Sequence, residues 1–255
     1  MKGILLTLVQ ISYIANRNYF FASHVIFMIK RYQHADRLLV AVDCIIFGFD
    51  KNQLRLLLTK RAMEPEKGNW SLIGGFVGKN ESLDDAATRV LYKLTGLKNI
   101  YMEEVKAFSE VKRDPVERTV SVAYYALIKM NRNMKLSAEY GAQWIPIDRI
   151  PSLIFDHIEM VEAAKKKLKA MAKHQPIGFE LLPKKFTIPQ LRSLYEAIYE
   201  HELDKRNFSR KILAMNLLEK LDEKDKKNSK KGAYLYRFDK WRYIELVKNG
   251  LNFVV

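Results

Sequence analysis

From Leu38 to Phe49 the chain is almost continuously apolar and rich in β-branched residues, which predicts a strand. Asp50-Lys-Asn-Gln53 reads as a turn, and Leu54 to Arg61 as a second strand that completes a hairpin. A loop carrying Pro65 and Gly68 separates this hairpin from a short strand, Trp70 to Ile73. The Gly74-Gly75 loop then leads into a helix expected from about Ser82 to Leu94. Ser82 caps it, Asp84 and Asp85 place acids in its first turn, and Thr95-Gly96 stops it. Strand patterns follow at Val105–Glu110, Thr119–Lys129 and Gln143–Ile147. A lysine-rich helix starting at Pro151 or Glu159 and running to Lys173 closes this part. One mixed sheet with interspersed helices predicts an α/β or α+β domain.

At Gln175-Pro-Ile-Gly178 the periodicity breaks, so a domain boundary is expected there, between segments 38–175 and 176–255. Beyond it Pro189 to Tyr199 reads as a helix capped by Thr187, and Asp204 caps a second helix, Lys205 to about Leu221. A polar lysine-rich stretch, Asp222 to Lys231, enters an aromatic strand at Gly232–Phe238. No internal repeat is visible. Ahead of the first strand, residues 1–37 read as an extension. Met1 to Val9 resembles the start of a signal peptide, but no clean cleavage site follows, and Asn16-Arg-Asn18 interrupts the apolar run. Neither this patch nor Tyr19–Ile29 reaches the ~18 to 20 uninterrupted apolar residues of a membrane span. A mis-assigned start, with Met28 as the initiator, fits better than secretion, and a cytoplasmic location is expected with no membrane partner.

Composition adds that the chain is an ordered globular protein, because 48% of it is hydrophobic and 29% charged. The net charge of +15 favours a polyanionic partner, with a basic enzyme acting on an anionic small substrate as the alternative. The excess is not confined to the C-terminal part. From Gln175 onward there are 17 Lys and Arg against 11 Asp and Glu. With one cysteine, Cys44, there is neither an internal disulfide nor a cysteine-rich zinc site, and its apolar flanks make it a small buried residue.

Local clustering is more informative. Two short helices followed by a basic hairpin match a winged helix-turn-helix. The first turns of the second helix carry Lys205, Arg206, Asn207, Ser209, Arg210 and Lys211, while Phe208, Ile212, Met215 and Leu218 form a core-facing stripe. Recognition helices read bases with such N-terminal residues, since Arg can chelate guanine and Asn adenine. Lys224, Lys226, Lys227, Lys230 and Lys231 would sit in the wing and meet phosphates, although a solvated basic loop explains the lysines equally well.

Gly74-Gly75-Phe-Val-Gly-Lys-Asn-Glu81, Arg89, Leu91 and Gly96-Leu97 resemble the Nudix signature, with six positions in register. The lead-in Gly68-Asn-Trp-Ser-Leu-Ile-Gly-Gly75 agrees, and the resemblance spans about Leu38 to Lys173. In that family three glutamates of the signature hold the Mg²⁺ that activates water on a diphosphate. Here those positions are Val90, Lys93 and Leu94, none of which offers magnesium an oxygen, so no metal, no cofactor and no catalysis are expected. Glu81 and Arg89 are then read as an ion pair bracing the loop against the helix. A retained scaffold without catalysis suggests a retained pocket, for which Asp43, Lys60, Arg61, Trp70, Arg113, Asp114, Arg118, Asp156 and His157 are candidate liners. Carboxylates, guanidinium groups and an aromatic face suit a small polyol. For each residue alone a salt bridge or loop brace is the competing reading, and Arg113-Asp-Pro115 can be a plain Asx turn.

An inactivated Nudix domain joined to a winged helix resembles the NrtR family of Nudix-related transcriptional regulators. Val42-Asp-Cys-Ile-Ile-Phe-Gly-Phe49, Trp70-Ser-Leu-Ile-Gly-Gly-Phe76, Leu153-Ile-Phe-Asp-His157 and Pro176-Ile-Gly-Phe-Glu-Leu-Leu-Pro183 bring it nearer to the arabinose-responsive AraR branch of Bacteroidetes. The resemblance implies an α+β protein, a Nudix-type α/β/α sandwich followed by a C-terminal winged helix-turn-helix. It further implies a homodimer on a palindromic double-stranded DNA operator, released when a sugar, L-arabinose or another pentose, binds the Nudix pocket. The other branch of the family instead implies a regulator of NAD metabolism that senses ADP-ribose, whose pyrophosphate would want Arg and Lys more than Asp43 and Asp156. A nucleoside-diphosphate hydrolase is opposed by the missing glutamates, and a membrane-tethered or secreted protein rests on residues 1–29 alone.

Overall fold

The computed structural model describes residues 35–50, 53–130, 136–137, 139–226, 232–249 and 253. The chain divides into two compact units, residues 1–38 and 39–255. Nearly all of the expected extension, and Met28 with it, lies outside the described residues.

The second unit is organised on β1 (Leu39–Asp50), which is buried without a break from Ala41 to Phe49. Val42, Cys44 and Ile46 face one side of the sheet and Ile45, Phe47 and Phe49 the other, as the two-residue period of a strand requires. β2 (Gln53–Lys60) and β4 (Ile73–Phe76) both run antiparallel to β1, β2 along Phe47–Asp50 and β4 along Ala41–Cys44. β6 (Thr119–Lys129) runs parallel to β1 along its whole length. β3 (Trp70–Ser71) and β7 (Gln143–Pro146) pair with β2, and β5 (Glu103–Phe108) with β6, which gives a mixed seven-stranded sheet. A parallel neighbour demands a crossover, and the chain between β4 and β6 supplies it with a helix.

That helix, α1 (Leu83–Thr95), begins at a capping box in which Ser82 and Asp85 satisfy each other's backbone amides, and ends at Gly96 with φ of 78°. Ala86, Ala87, Val90 and Leu91 press it onto the Val42 face of the sheet. Cys44 lies under it, its thiol pKa pushed up by burial, as its apolar flanks implied. On the opposite face α2 (His157–His174) buries Met160, Val161, Ala164 and Leu168. The result is the α/β/α sandwich that the resemblance implied, with α2 opening at His157.

The second core does not stop at Gln175. It continues through Phe179, Leu181 and Phe186 into α3 (Ile188–Tyr199) and α4 (Lys205–Ala214). Residues 39–255 pack as one compact unit, the apolar linker after Gln175 carrying the core from one part of the sequence into the next. β8 (Leu218–Asp225) and β9 (Ala233–Phe238) form the hairpin of the wing, and Phe186 adds a bridge to Tyr236. The expected second helix is shorter than its pattern suggested. It ends at Ala214, Asn216 takes a left-handed φ of 53°, and Leu218, assigned to the helical stripe, starts β8 instead. Asn tolerates that conformation, and the pairing with β9 outweighs helix propensity over Leu218–Leu221. One helix went unread in the sequence: α5 (Lys240–Lys248), capped by Asp239. No helix among the described residues is long and apolar enough to cross a membrane.

Candidate effector cavity and nucleic-acid interface

A cavity of about 400 Å³ opens beside the Gly74-Gly75 loop, between α1, the end of β2 and the start of α2. The glycines are there for close approach. A Cβ on Gly74 would lie 2.1 Å from an Asp43 carboxylate oxygen, and one on Gly75 would lie 2.9 Å from Val90. Of the nine candidate liners, Asp43, Lys60, Arg61, Arg113, Asp114 and His157 reach the cavity. Trp70, Arg118 and Asp156 do not line it. Trp70 carries the Lys60 ammonium 3.8 Å from its ring centroid, and Arg118 donates to the carbonyls of Ser109 and Glu110, bracing their loop.

Asp156 is held by Arg113, whose Nε and terminal nitrogen donate to its two oxygens at 2.8 and 2.7 Å. Asp43, 5% exposed, accepts the Ser121 hydroxyl at 2.6 Å and lies 3.9 Å from Arg113. His157 is buried next to it, and the Leu72 amide donates to its Nδ1 at 3.1 Å. That bond leaves Nδ1 unprotonated and puts the proton of the neutral ring on Nε2, 3.7 Å from Asp43. Burial holds the imidazole pKa below its ordinary value, the nearby Asp43 opposing only in part. Asp114 accepts the amide of Val116 at 2.9 Å, the Asx turn that its sequence suggested. The two acids that favoured a polyol, Asp43 and Asp156, are therefore matched inside the protein.

The remaining wall is cationic and aromatic. Arg61 is anchored to the carbonyls of Met63 and Pro65 and lies 5.0 Å from the Phe155 ring. Phe155 sits at φ of 49°, a conformation that costs a bulky residue energy and turns up at ligand sites, and its ring lines the cavity. Sequence reasoning missed Phe155 and Tyr140, whose only signal was their nearness to Asp156 and to β7. It also missed α1 as a wall: Arg89, Val90, Lys93 and Leu94 all line the space. Cationic liners number five against two carboxylates. Glu81 and Arg89 form the bracing pair at 2.5 Å, with the Gly78 amide also donating to Glu81, and Arg89 lowers the Glu81 pKa to about 2. Divalent metal does not fit here. Val90, Lys93 and Leu94 offer no oxygen, and no group of three or more His, Cys, Asp and Glu among the described residues could hold an ion.

In the C-terminal part, α4 presents Lys205, Arg206, Asn207, Arg210 and Lys211 to solvent while Phe208 and Ile212 are buried. Asp204 caps the Asn207 amide, and Arg210 donates to the Asn207 side-chain oxygen at 3.1 Å. Ser209 is the exception. Its hydroxyl donates to the Lys205 carbonyl at 2.7 Å, as mid-helix serines do, which ties it to its own helix. On the wing, Lys220 and Lys224 lie over the Tyr234 ring. Lys227, Lys230 and Lys231 lie outside the described residues.

A family profile for the NUDIX domain matches residues 37–168, and one for the NrtR DNA-binding winged helix domain matches residues 178–238. The chain is 32% identical, over 86% of its length and 89% of the relative's, to the ADPR responsive transcriptional repressor NtrR of Acinetobacter baylyi. It is 29% identical, over 52% of its length and 77% of the relative's, to the ADP-ribose pyrophosphatase of Methanocaldococcus jannaschii. The crystal structure of Shewanella oneidensis NrtR complexed with a 27mer DNA superposes with a TM-score of 0.66 at 27% identity, covering 78% of this chain and 93% of that one.

Proposed function

Because the chain belongs to the NrtR-like family, in which a Nudix domain precedes a DNA-binding winged helix, we propose that it is a transcriptional repressor whose Nudix-like half senses ADP-ribose. The observation that carries the effector is the charge of the cavity. Lys60, Arg61 and Lys93 line it, while Asp43, Asp114 and the Asp156 behind it are matched by Ser121, Arg113 and backbone donors. A diphosphate needs cations that are not already neutralised by a carboxylate; Arg61 is held by backbone carbonyls and Lys60 by the Trp70 ring, which leaves their charge for a ligand. The volume of about 400 Å³ suits a nucleotide-sized ligand, whereas a free pentose would leave most of it unfilled. The name of the Acinetobacter relative points the same way.

The pentose reading, preferred on sequence, gives way for a physical reason. It needed Asp43 and Asp156 free to share sugar hydroxyls, and both are engaged with Arg113 and Ser121. Nearness to the arabinose-responsive branch then rests on the quoted sequence runs alone. We further propose that the protein does not hydrolyse its effector, since Val90, Lys93 and Leu94 supply nothing to hold magnesium. The exposed basic face of α4 would enter the major groove of an operator, two copies of the chain reading its two half-sites in the cytoplasm, where the DNA is. ADP-ribose then releases the DNA if it binds the DNA-incompetent arrangement more tightly. A gel shift on the DNA upstream of its own gene tests this. ADP-ribose should dissolve the complex and raise the melting temperature of the free protein, L-arabinose and D-xylose should do neither, and the reverse pattern would restore the sugar.

A further inference from the structure

The face of α1 that would carry the metal-binding glutamates of an active Nudix enzyme points into the cavity, through Arg89, Val90, Lys93 and Leu94. Two of these are apolar and one is tied to Glu81 at 2.5 Å, so Lys93 is the group that changes the electrostatics of that wall. It is exposed, on the last turn of α1, at a signature position where a carboxylate would otherwise stand. The carboxylates nearby are already taken. Both Glu81 oxygens accept from Arg89, one of them also from Gly78; Asp43 accepts from Ser121; Asp114 accepts from Val116. Magnesium keeps much of its own water and is held by one or two protein carboxylates together with substrate phosphates, and the carboxylates here are engaged within the protein. A diphosphate in this cavity must therefore find its countercharge in the chain itself.

We propose that Lys93 is that countercharge: a lysine built into the old metal position, which binds the diphosphate of the effector directly and makes its recognition independent of divalent cations. The proposal rests on the reading that the effector carries a diphosphate, and it adds which residue neutralises it and what the site no longer requires. Replacing a carboxylate by an ammonium reverses the local sign in a single step. The wall that would repel a phosphate without metal becomes one that attracts it without metal. The competing role for Lys93 is to complement the negative end of the α1 macrodipole. That role would show in the stability of the free protein and would leave the magnesium and charge dependence of binding untouched.

Isothermal titration of the full chain with ADP-ribose, and separately with inorganic pyrophosphate, in EDTA and in magnesium, tests the proposal. Wild type should bind equally well in both buffers. Lys93→Gln should bind about tenfold more weakly, the worth of one charge-assisted hydrogen bond, with Lys93→Arg close to wild type. The melting temperatures of the free variants report any loss of fold. Binding that appears only with magnesium, or a Lys93→Gln variant as tight as wild type, would overturn the proposal while leaving an ADP-ribose sensor standing. Magnesium-independent binding of pyrophosphate that Lys93→Gln weakens, with no binding of ADP-ribose, would do the opposite. Binding of neither ligand overturns both.

Discussion

Arg113 grips Asp156 through two parallel hydrogen bonds of 2.8 and 2.7 Å, and so fastens the loop between β5 and β6 to the residue that precedes α2. The pair is nearly dry, with side-chain exposures of 4% and 14%, and a second carboxylate, Asp43, lies 3.9 Å from the same guanidinium. Removing the arginine would leave two carboxylates facing each other with no cation. Arg113→Ala should therefore destabilise the fold by about 3–5 kcal/mol, the usual result of breaking a buried pair from one side. Arg113→Lys should recover only part of this, because an ammonium cannot reproduce the bidentate fork. Urea denaturation reads both, and an unchanged midpoint for Arg113→Ala would mean the pair is ornamental.

His157 makes the same cluster sensitive to pH. Its pKa in the folded protein lies below the ordinary value of 6.5, so below that pH the unfolded chain binds a proton that the folded one refuses. The stability it contributes is present above about pH 6.5 and is lost as pH falls from there toward the folded value. His157→Asn, whose amide oxygen can still accept the Leu72 amide, should flatten this part of the profile. Denaturation midpoints measured across that window for both proteins would run parallel if another group were responsible.

Gly74 owes its place to Asp43. The 2.1 Å clash that a Cβ would make is with a carboxylate pinned by Ser121 and Arg113, which leaves it nowhere to turn. Gly74→Ala should cost about 1–3 kcal/mol, the range for overpacking. Asp43→Ala removes the obstacle, so the double variant should be less destabilised than the sum of the two single changes. Strict additivity would place the strain elsewhere.

The hydrophobic pattern made the sandwich readable, because the long apolar run of β1 and the amphipathic face of α1 mark the centre of the sheet and the helix that covers it. It was silent where contacts are made across long sequence separations. Asp43, Arg113, Asp156 and His157 were each legible as polar residues in apolar or turn settings, yet nothing in the sequence says that they satisfy one another. Reading the two acids as free favoured a small polyol, and the family resemblance narrowed it to a pentose. Phe155 gave no signal beyond its nearness to Asp156, since its left-handed backbone is imposed by the tertiary structure, and Lys93 was read for what it removes rather than for what it adds. In the C-terminal part the stripe Phe208, Ile212, Met215 and Leu218 kept helical spacing through Asn216, where the chain turns, so helix and strand could not be told apart there.

The basic surface of α4 and the wing should divide its work between specificity and affinity. Arg206 stands exposed in the first turn of α4, the position from which recognition helices reach base edges, whereas Lys224 lies on the hairpin over Tyr234, placed for phosphates. Arg206→Ala should weaken binding to the operator by about 1–3 kcal/mol and leave binding to a scrambled duplex nearly unchanged, because only a base contact is lost. Lys224→Ala should weaken both duplexes alike and make the dependence of log affinity on log salt shallower by about one. Fluorescence anisotropy on the DNA upstream of its own gene and on a scrambled duplex, at several salt concentrations, separates the two effects. If both variants bind like wild type, this face is not the one that meets DNA. If Arg206→Ala loses affinity for both duplexes equally, α4 touches the backbone, and the bases are read from elsewhere on the winged helix.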